Sequence, residues 1–109
     1  MRPVLALLLF ASIASAKTQR ELAYPYADVW PAMLRFLRVD EKLTILEKDG
    51  DAGYILFELQ DGKKTFRGSA EVAKAGEATR VIITIKDRPS YMEDGLLERF
   101  ERKLKEEHP

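Results

Sequence analysis

The strongest constraint on the fold is a run of alternating side chains from Lys42 to Lys86. Apolar residues recur there at every second position, which is the period of a strand with one buried face. The segments DGDAG, DGK and AGEA interrupt this run at short spacing, and their glycines permit positive φ. The pattern predicts an antiparallel four-stranded meander with strands at about residues 43–48, 54–60, 64–74 and 79–86.

The alternation also assigns the side chains of the meander to two faces. We expect one face to be buried under the helices, through Leu43, Ile45, Ile55, Phe57, Leu59, Phe66, Ala70, Val72, Val81, Ile83 and Ile85. The opposite face carries a second apolar set, the outer-face cluster: Leu46, Tyr54, Leu56 and Ile82. Clustered apolar residues on an uncovered face can mark an interaction surface. Scattered apolar residues are equally common on surfaces that bind nothing.

The segment before the meander predicts a strand and a helix. TQRELAY alternates weakly, as an edge strand does, and YPYADVWPAMLRFLRVD repeats its apolar residues at intervals of three and four. Pro25 and Pro31 place the start of the helix near residue 27 or 28, because proline is tolerated in the first turn. Trp30 falls on the apolar stripe and is interpreted as a core residue.

A second helix is predicted after the meander, from Ser90 to about Glu107. Ser90 and Glu93 have the spacing of a capping box, in which each side chain bonds the other residue's free backbone N–H. The apolar stripe comprises Met92, Leu96, Leu97, Phe100 and Leu104. Gly95 costs about 1 kcal/mol relative to alanine within a helix, so its presence suggests close contact with the sheet.

The order of these elements predicts an α+β fold. A strand, a helix, a four-stranded antiparallel meander and a final helix form two layers when both helices cover one face of the sheet. The chain contains no cysteine, so the apolar core must stabilise this domain without disulfides.

The first 16 residues, MRPVLALLLFASIASA, have the features of a secretory signal peptide. Arg2 precedes a short apolar stretch, and Ala14 and Ala16 give the small-residue pattern at a cleavage site. The stretch is shorter than the roughly 20 residues of a membrane helix. Residue 17 is Lys, so lipidation at the new N-terminus is not expected. The interpretation is a cleaved leader, residues 1–16, and one soluble domain, residues 17–109, in the periplasm or outside the cell.

Composition disfavours several classes of function. The chain has 18 basic and 18 acidic residues, and only Arg2 of these lies in the leader, so no basic face for nucleic acid is expected. The chain has no cysteine that could act as a nucleophile. Its single histidine, His108, stands next to the last residue and is interpreted as a solvated tail residue. Glu58 and Glu71 could face each other across strands, but surface carboxylates are frequent here. The sequence therefore predicts no enzyme, no catalytic residues and no cofactor.

Asp49 and Asp51 raise the question of a calcium loop. A helix-loop-helix calcium site needs an oxygen ligand at loop position 5, a glycine at 6 and a glutamate at 12. Those positions hold Gly53, Tyr54 and Gln60 here, and a strand follows instead of a helix. We interpret the segment as a hairpin corner and predict no metal site.

The runs AYPYADVWPAMLRFL and LTILEKDGDAGYILFEL resemble the repeated domain of BamC, the lipoprotein accessory of the outer-membrane barrel assembly machine. The matching positions are the pair Val29 and Trp30, then Asp49, Gly53 and Ile55. The resemblance covers roughly residues 22–59 and implies a helix-grip fold. More distantly the same opening looks like START-type helix-grip proteins, which hold lipids. Neither resemblance implies catalytic residues.

Two hypotheses about function remain open at this point. The preferred one is a non-enzymatic exported domain that contacts an envelope protein through the outer-face cluster, as an interaction or accessory module. The alternative is a carrier of a small apolar or lipid ligand between the sheet and the helices, suggested by the aromatic residues Trp30, Phe57 and Phe66. The expected oligomeric state is a monomer or a weak homodimer.

Overall fold

A computed structural model describes residues 17–109. The predicted signal peptide, residues 1–16, lies outside the described residues. Five antiparallel strands form one sheet in the order β1-β5-β4-β3-β2. Their bounds are β1 Lys17–Leu22, β2 Thr44–Asp49, β3 Tyr54–Asp61, β4 Lys64–Ala75 and β5 Ala78–Ile85.

Two helices cover one face of this sheet. Helix α1 spans Tyr26–Arg35 and continues into a π-helical turn, Phe36–Asp40, and α2 spans Ser90–Glu107. Phe36 and Phe100 meet with ring centroids 5.5 Å apart, so both helices contribute to one core with the sheet. The predicted α+β fold, with a strand, a helix, a meander and a helix in helix-grip order, is confirmed. Within residues 17–109, neither helix is long and apolar enough to cross a membrane.

The predicted inner face is the buried face. Eight of its eleven residues are buried, and Leu43, Ile45 and Phe66 are half-buried against the same core. Position 68 requires a glycine, because a Cβ there would lie 2.5 Å from the ring of the cross-strand partner Phe57. The aromatic ring therefore occupies the space that a side chain at 68 would need.

Helix α1 begins earlier than predicted. Tyr26 is its first residue and Pro25 is the cap, whose carbonyl accepts the N–H groups of Asp28 and Val29. Pro31 consequently lies in the second turn and cannot donate a hydrogen bond to the carbonyl of Ala27. Both Ala27 and Pro31 are exposed, so water can satisfy that carbonyl. The prolines located the helix but not its first residue.

The predicted capping box at the start of α2 is wrong. Pro89 is the cap, Ser90 is already helical, and the cap makes no side-chain hydrogen bond. The Glu93 side chain is fully buried, where its Oε2 accepts the Ile85 N–H at 2.7 Å and its Oε1 accepts the Thr18 hydroxyl at 3.3 Å. Glu93 thus joins α2 to β5 and β1 instead of closing the helix end.

Strand β2 departs from strict alternation at a bulge. Ile45 pairs with Phe57 and Glu47 with Leu56, so Leu46 is an extra residue without a direct partner on β3. Beyond the bulge Lys48 pairs with the buried Ile55, which reverses the parity of the strand. The bulge lies on an edge strand, where such features discourage pairing with another chain.

Candidate functional site

The outer-face cluster lies on the sheet face opposite the helices but is not one continuous patch. Tyr54 and Leu56 are two residues apart on β3, whereas Ile82 lies two strands away on β5. Glu71 on β4 pairs with both Tyr54 and Ile82 and so separates them. Leu46 and Leu56 are the most exposed members, at 42% and 36%.

Polar groups surround these apolar side chains. The Tyr54 hydroxyl donates to Glu47 Oε2, which raises the pKa of the phenol. Glu58 lies 3.9 Å from Arg67 and Glu21 lies 3.2 Å from Arg80, and both pairs are on the same face. The face therefore offers separate apolar side chains within a mostly polar surface.

The DGDAG segment forms the hairpin corner between β2 and β3. Asp49 Oδ1 accepts the N–H groups of Asp51 and Ala52, each at 3.0 Å, so this carboxylate closes the turn. Gly53 follows with φ of +78°. The Tyr26 hydroxyl donates to the Gly50 carbonyl at 2.6 Å, which attaches the turn to α1. No grouping of three metal-ligating side chains occurs in residues 17–109.

His108 makes contacts that a solvated tail residue would not make. Its ring lies 6.0 Å from the Tyr24 ring, and its Nδ1 lies 3.9 Å from Asp28 Oδ2. The side chain is 38% exposed. These contacts attach the end of α2 to the start of α1.

A cleft of about 370 Å³ opens between the first turns of α2 and one end of the sheet. Its floor is apolar and consists of Leu43, Leu59, Ile85, Met92 and Leu96. Leu43 and Met92 are half-buried, while Leu59 and Leu96 are 7% and 5% exposed. The cleft is thus an apolar surface at the boundary of the core.

A short connection, Glu41 to Leu43, forms one wall of the cleft. The Glu41 N–H donates to the Phe36 carbonyl and the Leu43 N–H to the Leu37 carbonyl, both at 2.9 Å. Lys42 between them has a positive φ of 57°, which is uncommon for a residue with a side chain. The hydrogen bonds therefore hold this wall against the π-helical turn.

An ion pair joins this wall to α2. Arg99 Nε and Nη2 each donate to a separate oxygen of Glu41, at 2.9 Å. These hydrogen bonds raise the pKa of the Arg99 guanidinium, although partial burial acts in the opposite direction. One turn further along α2, Lys103 lies 3.8 Å from Asp40. The Glu41–Arg99 pair thus connects two walls of the cleft, and the Asp40–Lys103 pair lies outside its lining.

Gly95 lies in the wall that α2 contributes. A Cβ at this position would have only Arg99 Nη1 within 4 Å, at 3.2 Å, so the glycine does not mark close contact with the sheet. Its missing side chain instead leaves the cleft open beside the guanidinium. The interpretation of Gly95 as a mark of close contact with the sheet is therefore wrong.

Sequence reasoning directed attention to other aromatic residues. Trp30 packs in parallel with Tyr26 at 6.0 Å, Phe57 is fully buried against Gly68, and the Arg88 guanidinium lies 4.7 Å over the Phe66 ring. None of these three lines the cleft. The pairing of Glu41 with Arg99 spans 58 positions, so no local pattern could reveal it.

Comparison with known proteins gives only weak similarity. No protein-family model matches the chain, and the search of curated proteins found no match. Among solved structures, Ara h 8.0201 aligns at 11% identity and a TM-score of 0.40, over 81% of this chain and 95% of that one. TTHA0849 from Thermus thermophilus aligns at 16% identity and a TM-score of 0.37, over 84% and 86%. At these scores the fold assignment depends on the strand order and helix positions of the chain itself.

Proposed function

We propose that this chain is an exported, non-enzymatic domain that binds a small apolar ligand in the cleft between α2 and the sheet. The observation that carries the proposal is the apolar floor beside Gly95. A glycine within a helix reduces stability by about 1 kcal/mol relative to alanine. A Cβ at this position would meet only the end of the flexible Arg99 side chain, at 3.2 Å, so packing against the sheet does not explain the glycine. An unobstructed binding cleft would explain it.

The size of the cleft defines the size of the ligand. Small-molecule sites have volumes of about 300–1,000 Å³, and the cleft, at about 370 Å³, is near the lower limit. Phe57, Leu97 and Phe100 are fully buried in the core and do not line it. The cleft therefore suits one short alkyl chain or one ring, and each buried methylene contributes about 0.8 kcal/mol to binding.

The side chains of the described residues support a binding role over catalysis. Glu58 pairs with Arg67 and Glu71 with Tyr54, so these two glutamates are not direct cross-strand partners. Near the cleft, both oxygens of Glu41 accept hydrogen bonds from Arg99. In neither place do these side chains supply an unpaired acid and an unpaired base that could act together on one bond of a substrate.

Titration of the purified domain with octanol, followed by methyl NMR, tests this proposal. We expect saturable shifts at Met92 and Leu96 in the wild type and loss of binding in Gly95→Leu, because the new side chain would occupy the cleft. Glu98→Leu adds the same side chain to an exposed position of α2 and should bind normally. Absence of binding to the wild type, or equal binding by Gly95→Leu, would contradict the proposal.

The second candidate function is contact with an envelope protein through the outer-face cluster. The exposure of Leu46 and Leu56 and the BamC-type resemblance favour it. Tyr54→Lys combined with Ile82→Lys should abolish co-purification of a partner from the host envelope. The pair Ala27→Lys and Val39→Lys adds equal charge at exposed positions of the helical layer, away from the outer face of the sheet, and should retain the partner. Unchanged recovery with the first pair, in a folded protein, would exclude this surface.

A further inference from the structure

The polar rim of the cleft includes the Glu41–Arg99 pair, which leaves part of the guanidinium unused. Glu41 Oε1 and Oε2 each accept one hydrogen bond from Arg99. Arg99 uses only Nε and Nη2 for these bonds, and a guanidinium has five N–H donors. Among the described residues Nη1 has no hydrogen-bond partner.

The position of Nη1 brings this donor to the apolar floor. It lies 3.2 Å from the place where a Cβ of Gly95 would stand, and Gly95 lines the cleft together with Leu96 and Met92. The Arg99 side chain is 49% exposed, so a ligand can reach it from solvent. A positive donor at the mouth and an apolar floor behind it suit a molecule with an anionic head and an apolar tail.

We infer that the ligand of this cleft is a free, single-chain alkyl monoanion whose head group accepts a hydrogen bond from Arg99 Nη1. This inference rests on the proposed function, because it takes the same cleft as the binding site. The tail lies on Leu59, Met92 and Leu96, and Glu41 remains on the other side of the guanidinium. A cationic head is disfavoured, since it would face the positive charge of Arg99 at Nη1.

Glu41 limits the affinity for such an anion. Its carboxylate neutralises much of the Arg99 charge, and it would lie near the head group of the ligand. Arg99 is 49% exposed, and Glu41→Gln keeps an amide oxygen that can accept one of its hydrogen bonds, so removing the Glu41 charge should leave the fold intact. The two substitutions Glu41→Gln and Arg99→Gln should therefore change anion binding in opposite directions.

The test compares octanoate and octanol on the full domain at neutral pH by calorimetry. We expect octanoate to bind the wild type more tightly, by about tenfold, since hydrogen bonds between charged groups are stronger than neutral ones. Arg99→Gln should reduce the affinity for octanoate to that for octanol. Glu41→Gln should raise the affinity for octanoate by about tenfold. The affinity for octanol should change by less than twofold in both variants.

The outcomes separate this inference from the proposed function. Octanol binding that Gly95→Leu blocks would support the apolar site. If octanoate then binds no more tightly than octanol, or if Arg99→Gln leaves its tighter binding unchanged, the inference of an anionic head group is overturned while the apolar site stands. If neither compound binds, both fail. Co-sedimentation with vesicles of an anionic phospholipid that Arg99→Gln abolishes, without octanoate binding, would overturn a free ligand in favour of a membrane lipid.

Discussion

At the residue scale, Gly53 is constrained both by its backbone conformation and by its neighbours. Its φ of +78° is in the left-handed region, and a Cβ would lie 2.2 Å from the Val72 carbonyl oxygen. Gly62 has a similar φ of +68° but no atom within 4 Å of a Cβ. The two glycines therefore separate conformational cost from steric cost.

Gly53→Ala should destabilise the protein more than Gly62→Ala. We expect Gly62→Ala to lower the free energy of unfolding by about 1–2 kcal/mol, because alanine disfavours this backbone conformation. Gly53→Ala should lower it by about 1–3 kcal/mol more, because its Cβ would also overlap the Val72 carbonyl oxygen. Urea unfolding of both variants measures the difference. Equal losses would show that Val72 moves away without cost.

Glu93 provides the second prediction at this scale. Glu93→Ala should lose about 1–3 kcal/mol because the buried Ile85 N–H is left without an acceptor. Glu93→Gln keeps an acceptor and should lose less. Glu98→Ala, at an exposed position of α2, should change the free energy of unfolding by less than about 0.5 kcal/mol. Full stability in Glu93→Ala would refute a role for this side chain in joining α2 to the sheet.

At the element scale, Tyr26 attaches the β2–β3 turn to α1, and this attachment depends on pH. Burial, Asp51 and then Asp49 raise the pKa of the Tyr26 phenol above its ordinary value of 10.0. The folded state thus favours the protonated phenol. The resulting stability is present below pH 10 and is lost as pH rises through the higher folded pKa.

Tyr26→Phe should lose about 0.5–1 kcal/mol at neutral pH, because the Gly50 carbonyl loses its donor. The deficit relative to the wild type should shrink above pH 10, where the wild-type phenol begins to ionise. Tyr91→Phe, at a side chain that is 68% exposed, is the matched control and should show no deficit. A deficit for Tyr26→Phe that stays constant through high pH would contradict this account.

Elements with a local pattern were predictable from the sequence, and features that depend on distant partners were not. The four strands of the meander follow period two, and each of their bounds agrees with the prediction to within one residue. Helix α2 follows its apolar stripe and spans Ser90–Glu107 as predicted. The predicted capping box is wrong because the Glu93 side chain accepts hydrogen bonds from Ile85 and Thr18 instead. Local spacing in the sequence cannot predict these partners. The bulge at Leu46 arises from pairing with β3 and leaves no local signal.

At the scale of the whole molecule, one layer of helices on one face of the sheet determines where a cleft remains open. Large side chains fill the interior, and the cleft remains at the end where α2 begins and β2 leaves the π-helical turn. The fold itself was predictable from the order of elements. The cleft was not, because Glu41, Gly95 and Arg99 meet only after the chain has folded.

The most direct test of the cleft as a binding site is an isotope-filtered NOE experiment on the labelled domain with saturating octanol. The account predicts contacts from the alkyl chain to the methyl groups of Leu59, Met92 and Leu96, and their loss in Gly95→Leu. Contacts to Leu46 or Leu56 on the opposite face instead, or none at saturation, would contradict it.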